Sequence, residues 1–113
     1  MKATDLTSGK ELASHLAVAD TFFTRLKGLL GKKELPHGEG LWIKHCKSIH
    51  TFGMRFPIDV VFLDKENLVV GLAKTLRPNR IPHLYSSVSS VIELPAGTID
   101  AAHTVTGDHI EVV

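Results

Sequence analysis

Apolar and polar residues alternate along much of the chain, and short apolar segments are separated by turn-forming residues. Leu12 and Leu16 fall on one side of an extended segment over residues 11–20, which predicts a first strand. The same reasoning predicts further extended segments at 41–52, 58–63, 68–76, 88–95 and 109–113. A turn at Lys65–Asn67 would join residues 58–75 into a β-hairpin. These segments predict about five to seven short strands, a number typical of a compact β-sandwich or barrel.

One segment changes from alternation to a helical period. Between residues 20 and 31, the apolar residues recur on one stripe of a helix: Phe22, Phe23, Leu26, Leu29 and Leu30. Asp20 or Thr21 can cap its start, and Gly31 fits its end. The pattern predicts an α-helix of about three turns, whose apolar stripe lies against a sheet.

Length and composition are those of an ordinary globular domain. The chain has 113 residues, of which 43% are hydrophobic and 22% are charged. These values predict one domain over residues 1–113 with a single core. Residues 1–10 are polar, which predicts a flexible terminus. The predicted fold is therefore mainly β, a β-sandwich or pseudo-barrel of short strands, with one short α-helix in the N-terminal half.

Charge and hydropathy argue against several classes of partner. The formal net charge is +1, so binding to nucleic acid or to an anionic membrane is not predicted. The first residues contain no apolar run of signal-peptide length, and no segment approaches the roughly 20 apolar residues of a membrane span. We therefore expect a soluble, monomeric, cytoplasmic protein.

Reactive side chains are concentrated in the segment HCKSIHTFGMRFPID, at residues 45–59. Its cysteine, Cys46, is the only one in the chain, which excludes an intramolecular disulfide and a multi-cysteine zinc site. In a straight strand Cys46 and His50 would lie about 13 Å apart, and His45 and His50 would point to opposite sides, so no metal site is predicted. Cys46 either packs as a small apolar side chain or, activated by His50, presents a reactive thiolate.

Two carboxylates, Asp59 and Glu93, are embedded in apolar strands. A buried carboxylate is destabilising unless it is paired or hydrogen-bonded. Asp59 either accepts main-chain amide hydrogen bonds that hold a loop or faces a ligand, with Arg55 and His50 as the nearest basic candidates. If their strands meet, Asp59 and Glu93 could flank one pocket as acid and base, or as oxygen ligands of a cation. Alternatively, Glu93 ties loops together by pairing with Arg55 or Arg77.

Three further features could belong to a binding site. Trp42 is either a stacking platform for a sugar or base, or a core residue. Met54 lines either the core or a pocket. The segment 77–87 contains two prolines and carries Arg77 and Arg80, and long loops often hold binding residues.

Four blocks of the sequence resemble successive blocks of the DUF192 family, also called UPF0127. They are LKGLLGKKELPHGEGLW, HTFGMRFPIDVVFLD, VIELPAG and TGDHIEV, and the resemblance extends from about Val18 to Val113. It implies a small, mainly β domain with a sandwich-like or pseudo-barrel core, and it supplies no established catalytic residues. Many members have an asparagine-threonine pair where this chain has Phe56, and they often lack Cys46 and His50. A site built on Cys46 and His50 would therefore belong to a subgroup.

The leading hypothesis is a small β-domain that binds a ligand in a polar pocket around residues 45–59. The residues predicted to line this pocket are Trp42, His50, Met54, Arg55, Asp59 and Glu93. One alternative is a hydrolase-like or thiol-dependent enzyme, whose candidate catalytic residues are Cys46, His50, Asp59 and Glu93. Another is an accessory protein that docks onto a larger assembly through loop 77–87 and the helix. The sequence identifies no cofactor, and the predicted partner is a small molecule or a protein.

Overall fold

The computed structural model describes residues 1–21, 29, 31–51, 53–83 and 85–113. Their regular elements are short strands and one short helix. In chain order these elements are β1 (Ala3–Asp5), β2 (Lys10–Ala13), β3 (His15–Ala19), β4 (Glu39–Lys44), β5 (Ile58–Leu63), β6 (Val69–Leu76), β7 (Ser90–Pro95), α1 (Thr98–Ala101) and β8 (Ile110–Val112).

The strands form two sheets. The smaller sheet has the order β2-β1-β8, and the larger has the order β3-β4-β7-β5-β6. β3 and β4 are parallel, whereas all other described strand pairs are antiparallel. Because β3 and β6 are edges of the larger sheet, the described strands do not close into a barrel. The prediction of a mainly β fold is confirmed, while the helix predicted over residues 20–31 lies largely outside the described residues.

Strand boundaries differ from the predicted segments in three places. Residues 11–20, predicted as one strand, form β2 and β3, which separate at Ser14 and belong to different sheets. β1 lies within residues 1–10, where a flexible terminus was expected, because main-chain pairing with β2 and β8 orders a segment that has no apolar run. The extended segment predicted at 41–52 ends at Lys44, since His45 has a left-handed φ of 55° that interrupts the strand.

The predicted hairpin over residues 58–75 is confirmed. β5 and β6 pair as antiparallel neighbours, with Val61 opposite Leu72. In the turn between them, Asp64 Oδ1 accepts hydrogen bonds from the amides of Glu66 at 2.8 Å and Leu68 at 3.0 Å. An aspartate that accepts hydrogen bonds from the following amides stabilises such a turn locally.

Both faces of the larger sheet are covered, and each has its own apolar cluster. One face packs against the smaller sheet, and we call its cluster the sheet-side core; it includes Ala3, Leu12, Leu16, Val61, Ile92, Leu94, Ile99 and Ile110. The other face is covered by side chains from residues 45–57 and 77–88, and we call its cluster the loop-side core; it includes Leu41, Ile43, Met54, Ile58, Val60, Phe62, Val88 and Val91. No helix among the described residues is long and apolar enough to cross a membrane.

Candidate functional site

Asp59 and Glu93, the two acids predicted to share a pocket, point to opposite faces of the larger sheet. In the ladder between β5 and β7, Asp59 lies opposite Leu94, whereas Glu93 lies opposite Val60. Successive side chains of a strand alternate between the two faces. Asp59 therefore lies on the face of the sheet-side core and Glu93 on the face of the loop-side core. The prediction of one pocket flanked by both acids is wrong.

Asp59 is buried and binds main-chain amides. Its Oδ1 accepts a hydrogen bond from the amide of Thr75 at 2.8 Å, and its Oδ2 accepts hydrogen bonds from Gly97 at 3.1 Å and Ile99 at 2.9 Å. Thr75 and Gly97 have left-handed φ angles of 50° and 94°, and Ile99 lies in the first turn of α1, where amides lack partners within the helix. Of the two roles left open by the sequence, the structure supports the one in which Asp59 holds loops together.

Glu93 is equally buried but lacks such partners. It is 3% exposed and lies between Leu41 of β4 and Val60 of β5. Its Oε1 atom has no hydrogen-bond partner among the described residues, and the ion pairs described there include none with Arg55 or Arg77. Burial raises the pKa of Glu93 to about 7. This carboxyl therefore changes charge near neutral pH.

Residues 45–57 lie over the loop-side core. Met54 is buried there, and Cys46 is half-buried and donates its thiol hydrogen to the carbonyl oxygen of Ser48, with 2.8 Å between Sγ and O. His50 and Arg55 are exposed. The binding or catalytic roles of Cys46, His50, Met54 and Arg55 stay predictions.

Thr51 joins this segment to loop 77–87, a role that sequence reasoning missed. The residue is fully buried. Its amide donates to the carbonyl oxygen of Arg80 at 2.9 Å, and its carbonyl oxygen accepts from the amide of Asn79 at 3.0 Å. Its hydroxyl donates to the carbonyl oxygen of Arg77 at 2.6 Å and accepts from the amide of Arg80 at 2.8 Å. We call this set of hydrogen bonds the Thr51 clamp.

Replacing Thr51 with valine should lower the free energy of unfolding by about 2 kcal/mol, because the near-isosteric change removes the hydroxyl that bonds the Arg77 carbonyl oxygen and the Arg80 amide. Urea unfolding followed by tryptophan fluorescence would measure the change. As a control, Thr106→Val makes the same substitution at an exposed turn and should change stability by less than about 0.5 kcal/mol. Equal effects of the two substitutions would show that the clamp contributes nothing beyond a surface hydroxyl.

A pocket of about 400 Å³ opens where β4 ends and β7 begins. Its lining consists of Trp42, Lys44, His45, Lys65, Asn67, Ser89 and Ser90. Lys44 and Ser90 face each other across β4 and β7, and Lys65 belongs to the turn between β5 and β6. None of the described lining residues is acidic, and Asp64, next to Lys65, is engaged within its own turn.

Two of the residues that line this pocket, Trp42 and Ser90, carry a buried polar atom without a hydrogen-bond partner among the described residues. Trp42 Nε1 and Ser90 Oγ make no hydrogen bond within the part of the chain that the structure describes. An indole N–H can only donate, whereas a hydroxyl can donate or accept. Lys44 Nζ lies 4.8 Å from the centre of the Trp42 ring, within the range of a cation–π contact. Ammonium groups next to unused donors form surroundings that suit an anion.

Of the residues predicted to bind a ligand, Trp42 lines the pocket. The other predicted residues, all of which the structure describes, do not line it. Sequence reasoning missed its other residues, although two signals were present. Ser90 is a polar residue two positions before the buried Ile92, so both share one face of β7. Trp42 and Lys44 are likewise two positions apart on β4, which places an aromatic ring and a cation side by side.

Comparisons with known proteins agree with this fold. A family model, DUF192, described as "Uncharacterized ACR", matches residues 4–112. A UPF0127 protein of Thermococcus sibiricus is 35% identical over 109 residues, covering 93% of this chain and 70% of the relative. A UPF0127 protein of Pyrococcus furiosus is 32% identical over 114 residues, covering 95% and 94%. A crystal structure of a protein of unknown function from Novosphingobium aromaticivorans matches with a TM-score of 0.82 at 22% identity, covering 98% of this chain and 82% of that chain.

Proposed function

The chain belongs to the DUF192 family of uncharacterised proteins, and because that membership assigns no activity, we propose from the geometry of its pocket that it is a sandwich-like β-domain that binds a small anionic ligand beside Trp42. The observation that carries this proposal is the pair of buried, unpartnered polar atoms, Trp42 Nε1 and Ser90 Oγ, next to Lys44. Burying a polar group without a partner is destabilising. A ligand oxygen that accepts from these donors would remove that cost.

The charge and size of the pocket define the class of ligand. Lys44 and Lys65 supply positive charge, and Asn67 and Ser89 supply further neutral hydrogen-bonding groups. The volume of about 400 Å³ falls within the range of small-molecule pockets. An oxyanion, either a phosphate or a carboxylate group, satisfies both the charge and the donors.

The enzyme alternative has less support than binding. The oxygens of Asp59 accept three main-chain hydrogen bonds, which leaves little capacity for orienting a catalytic base. Glu93 lies on the face of the loop-side core, whereas Trp42 packs against the sheet-side core. The expectations of a cytoplasmic location and a monomeric state stay predictions.

Tryptophan fluorescence tests the proposal directly, because Trp42 is the only tryptophan in the chain. The protein is titrated with inorganic phosphate in one experiment and with acetate in another. At least one anion should give a change in emission that saturates below about 20 mM, which corresponds to a weak dissociation constant. Lys44→Gln should raise the dissociation constant by about tenfold, because a charge-assisted hydrogen bond is lost. The two arms identify the kind of oxyanion.

Lys10→Gln is the matched control, since it removes the same charge from an exposed position on the smaller sheet. Its dissociation constant should equal that of the unmodified protein. A thermal unfolding series at increasing anion concentration gives a second readout, because a ligand that binds the folded state raises the melting temperature. Absence of saturation for both anions, or equal weakening by the two substitutions, would contradict the proposal.

A further inference from the structure

The positive charges of this protein are distributed unevenly along its sequence. Residues 40–58 and 67–92 contain no Asp or Glu, yet they carry six of the 13 Lys and Arg residues. All 12 acidic residues and the other seven cations lie elsewhere in the chain. The formal net charge of +1 therefore conceals two strongly basic segments, and a small net charge does not describe the local field.

The Thr51 clamp brings parts of these two segments together. The carbonyl oxygen of Thr51 accepts hydrogen bonds from the amide of Met54 at 3.1 Å and from the amide of Asn79 at 3.0 Å. Arg55 directly follows Met54, and Arg80 directly follows Asn79. The main chains that carry these two arginines therefore converge on one atom, so residues distant in sequence are neighbours in space.

Within the described ranges, no carboxylate pairs with the arginine side chains of these two segments. Arg55, Arg77 and Arg80 are all exposed. Among the described residues, ion pairs join Lys2 to Glu11 and Lys74 to Asp100, and neither pair involves an arginine. We call the surface formed by Arg55, Arg77, Arg80 and the neighbouring Ile81 the basic face.

We propose that the basic face binds an acidic segment of another protein. Each guanidinium can hold a carboxylate through two parallel hydrogen bonds. Ile81 is 66% exposed, and it offers an apolar contact to a leucine or isoleucine between the acidic residues. Phe56 and Tyr85 are half-buried and pack against the loop-side core, so neither is a free ring on which an unpaired nucleic-acid base would stack. These features favour an acidic, partly apolar peptide over nucleic acid.

Fluorescence anisotropy of the full chain with a fluorescein-labelled peptide of alternating glutamate and leucine tests this proposal. The acidic peptide should bind, and the same peptide with glutamine in place of glutamate should not. The double variant Arg77→Gln and Arg80→Gln should raise the dissociation constant by about tenfold, since charge-assisted hydrogen bonds are lost. Both residues contact Thr51 only through main-chain atoms in the bonds described, so the clamp stays intact.

Lys2→Gln with Lys10→Gln is the matched control, because it removes the same charge from an exposed position directly before β1 and from an exposed position on β2. Its affinity for the acidic peptide should be unchanged. Ile81→Ser removes no charge and should still weaken binding by about threefold, because an apolar contact is lost. Binding of a short labelled DNA duplex is measured in the same way, to test nucleic acid as the alternative ligand.

Three outcomes would overturn the proposal. The acidic peptide fails to bind, the two double variants weaken binding equally, or the duplex binds more tightly than the peptide with the same dependence on Arg77 and Arg80. The last outcome would assign the basic face to nucleic acid. None of these outcomes bears on the anion pocket, because Arg77 and Arg80 do not line it.

Discussion

Replacing Glu93 with glutamine is expected to change the free energy of unfolding differently at acidic and alkaline pH. The change should be about 3 kcal/mol more stabilising at alkaline pH than at acidic pH. Burial raises the pKa of this carboxyl from 4.5 to about 7, so as the pH rises the unfolded chain loses the proton before the folded one. The stability that is fully present below pH 4.5 is lost as the pH rises through about 7. Glutamine has nearly the same shape and does not titrate, so the variant escapes this loss.

Urea unfolding across this pH range, for the unmodified protein and Glu93→Gln, measures the effect as a difference between two curves. The difference removes the contribution of all other titrating groups. Its change between acidic and alkaline pH also removes the pH-independent cost of burying an amide. Glu111→Gln is the control, because Glu111 is exposed on β8 and its substitution should change stability by less than about 0.5 kcal/mol. Parallel curves for Glu93→Gln would show that folding does not raise the pKa of Glu93.

Replacing Asp59 with asparagine is expected to destabilise the protein by about 4 kcal/mol, because hydrogen bonds to a buried charged group are worth about 1.5 to 3 kcal/mol each. The amides of Thr75, Gly97 and Ile99 all donate to this carboxylate. Asparagine replaces one acceptor oxygen with an NH₂ group, which would face a main-chain donor. At least one buried amide then loses its partner.

The effect of Asp59→Asn is best measured by urea unfolding together with hydrogen exchange. Either the Thr75 amide or the Ile99 amide should lose its protection in this variant, because asparagine keeps only one acceptor oxygen. Asp100→Asn is the matched control, because Asp100 lies next to Ile99 on α1, is exposed, and pairs with Lys74 at the surface. This substitution should lower the free energy of unfolding by less than about 1 kcal/mol. Retained protection of both the Thr75 and the Ile99 amides in Asp59→Asn would contradict the assigned role of the carboxylate.

The two acids show why residue type alone does not identify a site. Both are buried and both are embedded in apolar strands. Asp59 has three amide donors, so its burial is compensated and its role is structural. Glu93 has an oxygen atom without a described partner, and its burial shifts its pKa toward neutrality.

The anion pocket was only partly accessible to prediction. Trp42 was a candidate because a tryptophan ring can serve as a stacking platform for a sugar or base. Lys65, Asn67 and Ser90 were not, because they come from a turn and a strand that are distant from Trp42 along the chain. Their common position depends on β7 pairing with both β4 and β5, and the apolar pattern of a strand does not specify its neighbours.

The sequence by itself determined the mainly β class, the hairpin of β5 and β6, and the family, since each depends on local periodicity or on contiguous motifs. Only the tertiary structure decided that Asp59 and Glu93 face opposite sides, that Thr51 joins two basic loops, and that β1 pairs within a sheet. The physical reason is register. A shift of one residue in strand pairing would move every side chain to the other face, and the free energy that selects the register comes from packing of residues far apart in the chain.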